Sequence, residues 1–233
     1  MGASDHLPAA RLGARLLLEQ LAEAGVDRLP RPAVEAAGAA PNLDLTALEA
    51  SIRACQACPL GASRTQAVPG EGAVPARLML IGEGPGAEED KSGRPFVGPA
   101  GQLLERILEG GMGLRREQVY IANMVKCRPP GNRNPAPEEM LACRHYLDAQ
   151  IQAVQPELIL ALGRIAAQAL LQTTEPLGRL RGRLMPLPGG GPPVLATYHP
   201  AYLLRRPEDK GACWEDIQVG MAHLGLARPG NGA

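Results

Sequence analysis

Four short apolar runs constrain this chain more than any other feature, because each is followed at once by a polar or glycine-rich motif. They are Arg77–Gly82 (RLMLIG), Val119–Ala122, Leu158–Leu162 (LILAL) and Val194–Thr197 (VLAT). Runs this short, apolar throughout and not alternating, read as strands buried on both faces. Helical patterns separate them. One opens at Pro99, a residue suited to the first helical position, and runs to about Glu109. Others cover 136–154, 163–171 and 207–224, and Asp44 reads as the N-cap of a helix reaching about Ala54. Strands alternating with helices imply an α/β fold, with a mostly parallel sheet covered by helices on both faces. Ligands of such sheets bind beyond the carboxyl ends of the strands. The polar stretches 83–98, 123–134 and 198–206 all follow strands, so one cleft can collect all three.

The 233 residues suit one such domain plus an appendage. One Phe and one Trp cannot fill a core, which must therefore be aliphatic. Residues 8–24 place Leu12, Leu16, Leu17 and Leu21 on one helical face, and a Pro/Ala/Gly-rich linker follows over 29–42. Residues 1–42 thus read as an appendage with freedom to move, 43–226 as the domain, and 227–233 as a disordered tail. No run of about 18 apolar residues suggests a membrane span. The N-terminus has no basic-then-apolar leader, which points to the cytoplasm.

The formal net charge is zero, which argues against a bulk polyanion binder. The charge is nevertheless uneven, −3 over residues 1–50 (four Arg, seven acids) and +3 over the remainder. Only Lys91, Lys126 and Lys210 of the 24 basic residues are Lys. Arg offers a planar fork suited to phosphate.

Cys55-x2-Cys58, a gap of 68 residues, and Cys127-x15-Cys143 leave Cys213 unpaired. Structural disulfides are rare in the cytosol, so four such cysteines suggest a metal, with buried free thiols as the alternative. Zinc and an iron–sulfur cluster both accept four thiolates. Cys213, beside Trp214 in a helix, reads as a small buried hydrophobe.

Gly82-Glu83-Gly84-Pro85-Gly86-Ala87-Glu88-Glu89-Asp90 is glycine-rich but lacks the Lys-Ser/Thr pair of a phosphate loop, and its acids would repel phosphate. Together with Lys91-Ser-Gly-Arg-Pro-Phe96-Val-Gly98, Asn123-x3-Cys127-Arg-Pro-Pro-Gly-Asn-Arg-Asn-Pro135 and His199-Pro200-Ala201, it resembles the family 4 uracil-DNA glycosylases. The resemblance spans roughly residues 50–210 and includes all four cysteine positions. It implies a three-layer sandwich with a central four-stranded parallel sheet. It also implies hydrolysis of the N-glycosidic bond of deoxyuridine in DNA, leaving an abasic site and starting base-excision repair. Cys55, Cys58, Cys127 and Cys143 would hold a 4Fe–4S cluster away from the chemistry. Glu83, Gly84, Pro85, Phe96, Asn123 and His199 would form the uracil pocket.

The residue types suit that chemistry. A flipped base needs an aromatic platform, for which Phe96, although a lone Phe ordinarily belongs to a core, stands in a Gly/Pro-framed loop. Asn123 can accept from uracil N3–H and donate to O4, whereas cytosine presents the opposite pair. Glu89 is expected to exclude the thymine methyl. His199 can donate to O2, where charge develops as the bond breaks. Glu83 is the candidate to steady the sugar cation or orient water. Family 1 enzymes carry an Asp where this chain has Gly84, so Glu89 and Asp90 remain competitors for the water. Arg128, Arg133 and Arg205 are expected to hold the DNA, single- or double-stranded. Tyr202 or Leu203 would fill the place of the flipped base.

The enzyme is expected to be a monomer, cytoplasmic and associated with the nucleoid while acting. Two other functions share parts of this pattern. One is a uracil-DNA binding protein without turnover; against covalent trapping, the loop Arg128–Pro135 has no His. The other is a cluster-bearing redox sensor with Cys213 as its labile thiol.

Overall fold

A computed structural model describes residues 44–228. The helix expected over 8–24 and the linker over 29–42 lie outside the described residues, as do positions 229–233 of the expected tail. The described helices are α1 Leu45–Ala54, α2 Leu60–Ser63, α3 Ala87–Ser92, α4 Pro99–Arg106, α5 Pro137–Val154, α6 Arg164–Leu171, α7 Leu177–Leu180, α8 Pro200–Arg205 and α9 Lys210–His223. The strands are β1 Glu71–Gly72, β2 Leu78–Gly82, β3 Tyr120–Asn123, β4 Leu158–Leu162, β5 Leu184–Met185 and β6 Val194–Thr197. Asp44 caps α1 as its sequence suggests, its carboxylate accepting from the amides of Thr46 and Ala47.

The sheet order is β1-β3-β2-β4-β6-β5. Its centre is the expected four parallel strands, and β1 and β5 add an antiparallel edge on each side. The two edges are additions to the expected sheet: a two-residue strand carries no period for a sequence to display.

Successive residues of the central strands enter different apolar clusters, as a pleat requires. Met79, Ile81, Tyr120, Ala122, Ile159 and Ala161 pack with α5, α6 and α7. Leu78, Leu80, Ile121, Leu158, Leu160 and Leu162 pack with α4, α8 and α9. Helices therefore cover both faces, which is why the strands are apolar throughout and why one Phe suffices in a core of Leu, Ile, Val and Ala.

Register then places the polar motifs. Gly82 pairs with Asn123 and Leu162 with Thr197, so four strand ends finish at nearly one level. After β2 the chain goes to β3 on one side, whereas after β4 it goes to β6 on the other. The loops part there, and a crevice opens between them.

Candidate active site

That crevice is a cleft of about 390 Å³ lined by Glu83, Gly84, Pro85, Gly86, Glu89, Phe96, Asn123, His199, Tyr202 and Arg205, among others. The six pocket residues expected from sequence, Glu83, Gly84, Pro85, Phe96, Asn123 and His199, all border it, as does Glu89.

Asn123 ends β3 and is 1% exposed. Its Oδ1 is the one buried side-chain polar atom without a hydrogen-bond partner among the described residues. Buried acceptors are nearly always satisfied, so an orphan facing a cleft marks the place where a ligand donor belongs. Gly82 makes room for it. A Cβ there would collide with Asn123 Oδ1 and lie 2.6 Å from Phe96 Cζ.

Phe96 corrects one expectation. It is 5% exposed and packs with Leu80, Leu103 and Ile121, so it belongs to the core as well as to the cleft wall. Its ring lies 5.6 Å from the His199 ring, tilted by 31°.

His199 follows β6 and is the N-cap of α8. Its Nδ1 accepts the Ala201 amide at 3.1 Å, which assigns the proton of the neutral ring to Nε2. Although partly open to the cleft, the imidazole is surrounded by protein. Loss of hydration, with the nearby Arg205 charge, pushes its pKa down to about 4, while Glu89 opposes the shift. The ring is therefore neutral at physiological pH and has one N–H to donate. Gly163, at φ +91°, has a backbone shape that favours glycine, and a Cβ there would lie only 3.0 Å from His199 Cβ.

Burial raises the Glu83 pKa, and the Arg164 charge partly offsets it. A carboxylate so placed is a stronger base than one in water. The other two acids are occupied. Glu89 Oε1 accepts the amides of Val97 and Gly98 at 2.9 and 3.0 Å, and Oε2 accepts Gly86 N at 3.1 Å. Asp90 does not border the cleft; it is buried and accepts the Thr65 and Gln66 amides.

Residues 69–218 match the Uracil DNA glycosylase superfamily. Over 156 residues the sequence is 50% identical to a type-4 uracil-DNA glycosylase of Thermotoga maritima, covering 66% of this chain and 80% of that protein. The chain belongs to the uracil-DNA glycosylase superfamily. A type-4 uracil-DNA glycosylase of Pyrobaculum aerophilum is 45% identical over 183 residues, covering 76% of this chain and 93% of its own. A type-5 uracil-DNA glycosylase of Thermus thermophilus is 34% identical over 195 residues, covering 67% and 87%.

Within this uracil-DNA glycosylase fold the expected DNA contacts divide. Arg205 borders the cleft and pairs with no acid among the described residues. Arg133 also borders it, but its guanidinium holds the buried Glu139 carboxylate at 2.6 and 2.8 Å. Arg128 donates to Asn132 and lies outside the cleft lining. Tyr202 donates to Asp209 at 2.6 Å and stacks on Tyr198. Leu203 is 1% exposed within the α8–α9 core and cannot enter DNA, whereas its neighbour Leu204 is 41% exposed. Six helical residues are too few for sequence to fix which Leu points outward. Arg164 was missed by sequence reading. The available signal was its position directly after β4 and Gly163, at the same sheet end as the other motifs.

The cysteines form a second centre. Cys55, Cys58, Cys127 and Cys143 border one pocket below α1 and α2. Three of the four sulfurs accept hydrogen bonds: Cys127 from Arg64 Nη1 at 2.9 Å, Cys143 from the Lys126 amide at 3.3 Å, and Cys55 from the Ala57 amide at 3.5 Å. Among the described residues, no three His, Cys, Asp or Glu side chains group as a single metal ion requires. The four thiols line one pocket, and they are donors that zinc and an iron–sulfur cluster both accept. Cys213 is elsewhere, buried, accepting from Thr197 Oγ1, with burial pushing its thiol pKa up. That is the environment of an inert thiol, and it removes the cue for a redox sensor. Among the described residues, no helix is long and apolar enough to cross a membrane.

Proposed function

We infer that the protein is a uracil-DNA glycosylase, releasing uracil from DNA by hydrolysis of the N-glycosidic bond and initiating base-excision repair. The observation that carries this is the buried, unpartnered Asn123 Oδ1 in a cleft shared with Phe96, His199 and Glu83. Uracil N3–H is the donor that atom lacks, and the Asn amide is left to donate to O4. Cytosine offers an acceptor at N3 and a donor at the exocyclic nitrogen, so both contacts would fail.

The base swings out of the stack and lies against the Phe96 ring. As the C1′–N1 bond breaks, its electron pair passes to uracil N1 and O2. The Nε2–H of neutral His199 donates to O2, a kind of contact worth roughly 3–4 kcal/mol in the transition state when preorganised. Water adds to C1′ of the sugar cation, and its proton goes to the Glu83 carboxylate. Glu89, saturated by three backbone amides, fixes the Phe96 loop against the Gly84–Gly86 turn and fills space beside the base. That filling is the proposed barrier to the thymine methyl. Arg205 and Arg164 are the proposed phosphate contacts, and Leu204 takes over the wedge role first expected of Leu203.

The four cysteines are proposed to hold a 4Fe–4S cluster. It would supply a structural tie between the α1–α2 segment, the end of β3 and α5, not a step in the reaction. The protein is proposed to act as a monomer in the cytoplasm, on the nucleoid.

Purified protein given uracil-containing single-stranded DNA should release free uracil without added nucleotide. Folded protein that binds this DNA and releases none would be a binding protein without turnover.

A further inference from the structure

Phe96 has a backbone φ of +52°, in the left-handed region that bulky residues avoid. Such a conformation persists only where the surroundings over-determine it. Here they hold it from two sides. The Val97 and Gly98 amides donate to Glu89, while the Pro95 and Phe96 carbonyls accept from one buried guanidinium, that of Arg116.

Arg116 comes 20 residues later, on a 3-10 turn just before β3. Its side chain is 9% exposed and does not border the cleft. Nη1 donates to Phe96 O at 3.0 Å, and Nη2 donates to Pro95 O. Nε donates to Glu71 Oε1 at 2.6 Å, and Nη1 also reaches Glu105 at 3.3 Å. Glu71, on β1, is held in turn by both ends of the Arg94 fork at 2.9 Å. A rigid planar fork can serve two carbonyls and a carboxylate together, which an ammonium cannot. From the other side, α4 presses close enough that a Cβ at Gly101 would strike the Phe96 carbonyl.

We propose that Arg116 is a positioning residue for uracil excision, fixing the left-handed Phe96 backbone and so the ring on which the flipped base stacks. This rests on Phe96 being the stacking platform. It also gives the edge strand β1 a purpose in the site, since β1 supplies the carboxylate that aims the fork.

The test is a coupled set of variants, Arg116→Lys, Phe96→Ala and both together, assayed for uracil release and for inhibition by free uracil. Thermal unfolding of each confirms the fold. Arg116→Lys should lower kcat/KM and weaken free-uracil inhibition, each by about tenfold, and the double variant should match Phe96→Ala alone. Losses that multiply in the double variant, or an Arg116→Lys protein within twofold of wild type in both readouts, would overturn the proposal. If Phe96→Ala itself is unimpaired, the stacking reading fails instead. Should Arg116→Lys not fold, Glu71→Gln tests the same link. It leaves the fork but removes the carboxylate aiming it, and a loss of roughly twofold or more that disappears in the Phe96→Ala background is expected. No coupled loss would again overturn the proposal.

Discussion

The cleft and the cysteine pocket are built from the same short stretch of chain, residues 123–127, yet they are finished in opposite ways. Asn123 closes one and Cys127 lines the other. Between them Lys126, 1% exposed, donates its Nζ to Asn123 O at 2.8 Å and to Gln150 Oε1 at 2.6 Å. Around the cysteines, hydrogen bonds converge on the sulfurs. In the cleft, one buried acceptor is left without a donor. A centre that ties several elements together maintains the fold, and a centre that leaves a buried acceptor open to a cleft binds a ligand. Stability and activity should therefore separate along this stretch.

The sharpest way to break that comparison is Asn123→Ala. It should lower kcat/KM by on the order of 10³, since it removes the base-reading contacts at the reacting end of the cleft. It also removes a buried, unsatisfied acceptor, so the melting temperature should hold or rise. A large loss of stability would place Asn123 with the structural centre instead.

Next in size are the two groups at the bond being cleaved. His199→Ala should cost about 10²- to 10³-fold in kcat. Because His199 is already neutral well above its pKa of about 4, its titration should not shape the rate near neutrality. The acidic limb belongs to Glu83, whose raised pKa makes the rate climb with pH as the carboxyl loses its proton. Glu83→Gln should lower the rate and flatten that limb in a pH–rate profile. The titration of His199 shows instead in stability. Between pH 6.5 and about 4 the unfolded chain binds the proton and the folded one does not, so this residue's contribution to stability falls as pH falls. Thermal unfolding of His199→Gln across that window should be flatter than wild type.

Cys143→Ser tests the other centre. The melting temperature should drop by on the order of 10 °C, at about 2–4 °C per kcal/mol for a domain of this size. The molecules that remain folded should still release uracil. Cluster content, read from iron and visible absorbance, should fall with the melting temperature. Zinc in place of iron would refute the cluster but not the comparison. The smallest effect expected is Leu204→Ala, roughly threefold on duplex DNA and less on single strands, where no base stack needs to be held open.

Much of this was legible in the sequence, for identifiable physical reasons. The central strands are buried on both faces, so their composition alone announces them, and β4 and β6 have the boundaries read from sequence. The cleft residues were legible because their segments stand at strand ends and their motifs resemble those of the family 4 uracil-DNA glycosylases. What stayed hidden depends on phase or on pairing at a distance. The acids and glycines of 83–98 read as loop, yet Ala87–Ser92 is a helix, steadied at its start by Glu89 reaching the Gly86 amide. In Leu203-Leu204 the outward residue follows from helix phase over too few residues. Arg116, in a run Arg-Arg-Glu-Gln, looks like a solvated charge and is buried only because Glu71 and the Phe96 loop surround it. Arg133 looked free for phosphate until folding brought Glu139 to it.

The most direct measurement concerns the orphan oxygen itself. Uracil release can be compared between single-stranded DNA carrying deoxyuridine and the same strand carrying its N3-methyl derivative, which has no N3–H to donate. Wild type should prefer deoxyuridine by about 100-fold or more, and Asn123→Ala should remove most of that preference. Equal rates with wild type, or an undiminished preference in Asn123→Ala, would contradict the assignment of Asn123 Oδ1 as the atom that reads uracil.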